Sequence, residues 1–161
     1  MDELGLRELR DELLADARVA EGAWQTAEQR FAENRASGLE ACAHHLARLY
    51  NVIEQMALRV ARAFENRITA DAGWHAELIG RLAIRIEGVR PALFPAELRQ
   101  PLRELRGFRH VFTHAYDLEL DPDKLKLLLK YASQVAPKMK PMCEDFIRQV
   151  AAQEGLDAMM Q

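Results

Sequence analysis

The sequence predicts an all-α fold, a single helical bundle of about five helices built on a long antiparallel hairpin. Alanine and leucine supply 47 of the 161 residues, whereas valine, isoleucine and threonine supply 16, a balance that favours helix over sheet. Apolar residues recur at intervals of three and four through most of the chain, the signature of amphipathic helices. Start and stop signals punctuate those stripes where helices should begin and end.

Leu6, Leu9, Leu13, Ala17, Ala20, Trp24, Ala27 and Phe31 form the first stripe, on a helix of roughly eight turns. Ser37-Gly38-Leu39-Glu40 reads as a capping box, in which serine and glutamate satisfy orphan donors at the start of a second helix. Leu39, Cys42, Leu46, Leu49, Ile53, Met56, Val60 and Ala63 carry its stripe. A short turn between two such helices makes an antiparallel hairpin. A third, shorter helix is expected from an N-cap at Asp71 through Trp74, Leu78, Leu82 and Ile86, ended by Gly88 and Pro91. Pro95 suits the first turn of a fourth helix bearing Leu98, Leu102, Leu105, Phe108 and Phe112. Asp121-Pro122 marks a fifth start, a capping side chain followed by proline at the first helical position. Leu125, Leu128, Ala132 and Val135 follow, and Pro137 and Pro141 predict a kink or break beyond them. The tail 155–161 is expected to fray. One domain covers 1–161, since no linker or repeat divides the chain.

The composition excludes several classes of function. Charged residues make up 29% and hydrophobic residues 49%, a globular rather than a disordered balance. No stretch approaches the roughly 20 apolar residues that cross a bilayer. The acidic Met1-Asp2-Glu3-Leu4 lacks the apolar core of a secretory signal, which predicts a cytoplasmic chain. The formal net charge of −3 excludes a globally basic nucleic-acid coat and leaves room for a local basic patch. Cys42 and Cys143 show no metal spacing, and Cys42 sits on the core stripe. Ser37 and Ser133 are the only serines, which makes a serine nucleophile improbable. His44-His45 diverge on the second helix and suit a partly exposed structural role.

The fourth helix is unusual. On a wheel of about 100° per residue, Leu98, Leu102, Leu105, Phe108, Val111, Phe112, Ala115 and Tyr116 share an apolar arc. Arg99, Arg103, Arg106, His110 and His114 form a cationic row on the opposite face, with a solvated surface as the plain explanation and an RNA backbone as the functional one. Arg109 falls inside the apolar arc, where an uncompensated guanidinium is costly. Two readings stay open: an ion pair, with Glu54 as candidate, or an arginine waiting in a cleft or interface for a phosphate. His110 and His114 also have the spacing of a zinc pair, but Val111 replaces the expected glutamate and only Asp117 offers a third ligand.

The segment Arg106-Gly107-Phe108-Arg109-His110-Val111-Phe112-Thr113-His114-Ala115-Tyr116 resembles the active-site signature of HEPN-domain proteins. Its Arg-x4-His-x-Tyr form is similar to that of the HepT-like toxin branch. Leu49-Tyr50-Asn51-Val52-Ile53-Glu54, Gly73-Trp74-His75 and Arg90-Pro91-Ala92-Leu93 resemble further landmarks of that branch, so the likeness covers about residues 40–130. The resemblance implies a metal-independent endoribonuclease with no cofactor. His114 would be the general acid/base, Arg109 would stabilise the scissile phosphate, and His110 would assist orientation. Arg99, Arg103 and Arg106 would contact RNA. Because residues five apart on a helix diverge by about 140°, one chain cannot easily aim Arg109 and His114 at one atom. The family resolves this in a homodimer whose two motifs face each other, with some helix distortion expected near Thr113. Tyr116 would be adenylylated by a nucleotidyltransferase antitoxin, which silences the toxin by adding bulk and negative charge. The alternatives are a non-catalytic HEPN partner subunit that binds substrate or nucleotide for a nucleotidyltransferase, and a plain helical scaffold dimer.

Overall fold

The computed structural model describes residues 1–65, 72–115 and 119–156, the side chains of 72–76 excepted. Among them six α-helices and two short 3-10 turns surround one apolar core. The first two helices, α1 (Glu3–Ala32) and α2 (Ala36–Phe64), form the expected hairpin. Asp2 caps α1 by accepting from the Gly5 N–H at 2.8 Å. Leu6, Leu9, Leu13, Ala17, Ala20 and Ala27 are buried against Cys42, Leu46, Leu49, Ile53, Met56 and Val60. Alanines on the α1 stripe let the two backbones approach closely.

The capping box does not form. The α2 helix begins at Ala36, and the N-cap position is Arg35, in extended conformation and without a side-chain cap. Ser37 therefore lies inside the first turn, where its side chain cannot cap, and Gly38 packs closely on α1. A Cβ there would lie 2.4 Å from the Arg30 carbonyl oxygen, so residue 38 is pressed against α1 within the helix rather than sitting at its mouth.

The third helix, α3 (Ala72–Leu82), is shorter at its end than expected. Asp71 lies outside the described residues. Beyond Leu82 the chain turns back: the Leu93 and Phe94 N–H groups donate to the Leu82 carbonyl at 2.7 and 3.1 Å. Ile86 pairs with Arg90 across a tight turn, and Ile86 is exposed rather than core. The Arg90 side chain holds this end together. It is fully buried, donates to the Arg81 and Ile84 carbonyls at 3.2 and 2.9 Å, and pairs with Glu65 at 3.1 Å. A side chain thus takes carbonyls that a longer helix would have used.

Pro95 caps a 3-10 turn (Ala96–Leu98) that leads into α4 (Arg99–His114). Then come α5 (Pro122–Val135), capped by Asp121, and α6 (Met139–Glu154). The break expected at Pro137 is a 3-10 turn over Ala136–Lys138, and Pro141 lies in the first turn of α6, where its missing N–H costs nothing. At the end of α6 the chain stays folded two residues into the expected fray. Gly155 adopts φ 69°, and the Leu156 N–H donates back to the Ala151 carbonyl at 2.8 Å. Residues 157–161 lie outside the described residues. No described helix is long and apolar enough to cross a membrane.

Candidate active site

The side chains of interest lie on α4 and on the stretch of α2 that it crosses. Leu98, Leu102, Leu105 and Phe108 are buried and hold α4 in place. Two members of the expected apolar arc depart from it. Val111 is 42% exposed, and Ala115 lies beyond the helix in extended conformation, so the wheel stops at His114. Tyr116 lies outside the described residues.

Arg109 is docked on α2. Nη1 donates to Asn51 Oδ1 at 3.0 Å and Glu54 Oε1 at 3.5 Å, and Nη2 donates to Glu54 Oε2 at 3.1 Å. The guanidinium carbon stands 4.8 Å from the centre of the Tyr50 ring, within cation–π range. Tyr50 is fully buried, and burial, reinforced by the Glu54 carboxylate, pushes its phenol above the usual range. The ion pair with Glu54 is therefore present, and it does not exhaust the arginine. Glu54 meets the end-on edge and Asn51 takes the other Nη1 proton. Among the described residues, Nε–H and the second Nη2 proton have no protein acceptor. That side-on edge is a fork suited to two phosphate oxygens.

His114 is the last residue of α4 and is exposed. Its Nδ1 lies 2.8 Å from the His110 carbonyl oxygen. A carbonyl only accepts, so the proton sits on Nδ1, and Nε2 of the neutral ring carries the lone pair. Thr113 supports this arrangement. Its hydroxyl donates to the Arg109 carbonyl at 2.9 Å and its oxygen lies 3.0 Å from the same Nδ1. The helix runs through Thr113 to His114 without a break, so the distortion expected there is absent. The His110 and His114 rings are 4.5 Å apart. His110 thus holds His114 through its carbonyl and ring face.

No side-chain contact joins Arg109 to His114 among the described residues. The first is turned to α2 and the second to solvent, the divergence that five-residue spacing dictates. Arg99, Arg103 and His110 are exposed and Arg106 is half-buried along one edge. Among the described residues no three histidine, cysteine or carboxylate side chains gather into a metal-binding group.

A family model described as HepT-like protein matches residues 41–150. The chain belongs to that family. The match runs from inside α2 to near the end of α6, so it spans both halves of the Arg109 site of this HepT-like protein and leaves α1 outside. No curated protein and no solved structure matches the chain.

Two partners in the HepT-like site were not anticipated from residue spacing: Tyr50, as the ring under Arg109, and Asn51, as its amide acceptor. The available signal was their position. Tyr50 and Asn51 lie four and three residues before Glu54, so all three share one edge of α2. His110 was expected to assist orientation, with no particular group specified. Its backbone carbonyl was invisible to a reading of side-chain types.

Proposed function

We propose that this HepT-like protein is the metal-independent endoribonuclease toxin of a toxin–antitoxin pair. In this reading it acts as a homodimer and is silenced when a nucleotidyltransferase antitoxin adenylylates Tyr116. The observation that carries the reading is the bond from His114 Nδ1–H to the His110 carbonyl at 2.8 Å, which leaves Nε2 as a base on an exposed ring.

Nε2 removes the proton of a ribose 2′-OH, the general-base role that histidine fills most often. The resulting O2′ attacks phosphorus and the P–O5′ bond breaks. The products are a 2′,3′-cyclic phosphate and a 5′-OH, with the leaving oxygen protonated by imidazolium. Charge that builds on the non-bridging oxygens is met by the open Nε/Nη2 edge of Arg109. Since Arg109 and His114 of one chain diverge, the reading requires a second copy to complete each site.

The test is cleavage of labelled RNA in EDTA by the wild-type protein, confirmed by mass to be unmodified at Tyr116, beside His114→Ala and Arg109→Ala. Cyclic-phosphate ends that disappear in both variants are expected. The end-on edge of Arg109 spent on Glu54 favours a second reading, a non-catalytic subunit that binds substrate or nucleotide for a nucleotidyltransferase. An inert wild-type protein would select it.

A further inference from the structure

The cationic edge of α4 borders a cleft that the catalytic reading leaves unused. Between α3 and α4 lies a cavity of about 320 Å³, lined on the α4 side by Arg99, Arg103 and Arg106 and on the α3 side by Arg81. Ile79 and Ile84 supply its accessible apolar surface, with Leu102 buried behind them. One carboxylate, Glu77, also lines it. Arg81 is braced on Glu65 at 3.5 Å. Among the described residues no carboxylate pairs with Arg99, Arg103 or Arg106. Three arginines without a paired carboxylate, facing one glutamate, make an anion-attracting pocket, and its volume falls within the roughly 300–1,000 Å³ of small-ligand sites.

An apolar surface beside guanidinium groups suits a planar base joined to a phosphate better than it suits a bare hydrated anion. Bases pack on apolar surface and on arginine planes, while phosphates take the remaining N–H donors. The row from Arg99 to His114 extends about 22 Å along α4, so a strand seated in the cleft has a cationic path toward the histidine.

We propose that the α3–α4 cleft is a nucleotide subsite for single-stranded RNA. It seats a base on Ile79 and Ile84, with phosphates on Arg99, Arg103 and Arg106, several nucleotides away from the bond to be cut. The proposal rests on the ribonuclease reading for its choice of ligand.

Gly80 offers a clean test. It lines the cleft, and a Cβ added there meets nothing within 4 Å, so Gly80→Phe fills the cavity without displacing backbone. Arg103→Glu is a second variant at an exposed position. A short fluorescein-labelled oligouridylate is titrated into the full-length His114→Ala protein, with and without each change, and anisotropy is read across a salt series. Circular dichroism checks that helix content is kept.

Each variant is expected to weaken binding by about tenfold or more. The unsubstituted cleft should give a log–log salt slope of about 2, for three phosphates on a single strand, lowered by about 1 in Arg103→Glu. Undiminished binding in both variants would overturn the proposal. So would equal binding of the duplex form, or displacement of the oligonucleotide by ATP at matched concentration, which would reassign the cleft to a free nucleotide. Loss of binding in both variants, alongside a wild-type protein that cuts nothing in EDTA, would uphold the cleft and overturn the ribonuclease reading.

Discussion

Arg109 and Glu54 meet end-on across the contact between α4 and α2, with Nη2 3.1 Å from Oε2 and side chains only 23% and 17% exposed. A pair this sheltered is worth more intact than broken, because losing either side chain takes charge compensation from a group held mostly out of water. Arg109→Ala and Glu54→Ala should each destabilise the protein, and a double-mutant cycle by urea unfolding should give a coupling of about 1–3 kcal/mol. A coupling near zero would mean that the pair is no more than a solvated contact.

On the ribonuclease reading proposed above, the same geometry predicts that Arg109→Lys does not preserve activity. Lysine keeps the charge beside Glu54 but has no side-on edge left to offer a phosphate. Initial rates of RNA cleavage in EDTA should fall by about 10- to 100-fold, with a stability loss smaller than that of Arg109→Ala. A lysine variant with wild-type rates would show that charge alone suffices and that the open fork has no role.

The contrast between Arg109 and the third helix shows what sequence spacing conveys. The wheel of α4 placed Arg109 among apolar neighbours, which called for a compensating charge, and Glu54 was the candidate. The hairpin and the break after Val135 were equally legible, since stripes and prolines act locally. Periodicity failed where a long-range polar contact decides the outcome. Ile86 continues the α3 stripe, yet the helix stops at Leu82 because Arg90 and the Leu93 and Phe94 amides compete for its last carbonyls. Ser37 and Glu40 have the capping-box spacing, but the helix starts at Ala36 and takes Ser37 into its first turn. The His114 tautomer was equally hidden, being set by a main-chain oxygen.

Arg90 should be among the most sensitive positions in the protein. It is completely buried, and besides Glu65 it satisfies the carbonyls of Ile84, Pro91 and Arg81. Arg90→Met removes the cation from a carboxylate that is only 11% exposed. A loss of about 3–5 kcal/mol in urea unfolding is expected. Adding Glu65→Leu should recover part of it by removing a carboxylate left with Arg81 at 3.5 Å, and no recovery would point to the carbonyl bonds as the dominant contribution.

Cys42 and Cys143 are both fully buried, and burial pushes each thiol up to about 12. Since the thiolate is the reactive form, neither should react with a thiol reagent such as DTNB at neutral pH until the protein unfolds. Both should react at once in denaturant. Rapid modification of either in the native protein would contradict the packing of Cys42 against α1 and of Cys143 beneath the Leu13 carbonyl.

His45 makes stability depend on pH in a predictable direction. Its Nδ1 is buried without a hydrogen-bond partner. Desolvation first, then the charges of His44, Arg48 and Arg30, hold its pKa below the ordinary 6.5. A histidine with a lowered folded pKa binds its proton more readily in the unfolded chain, so stability falls as pH drops through the unfolded value and levels off below the folded one. Above that window the group contributes no pH dependence. The melting temperature should therefore decline as pH falls through about 6.5, the ordinary histidine value, and it should decline less in His45→Gln, which has no proton to gain. Equal slopes in the two proteins would show that His45 takes up its proton in the folded state without penalty.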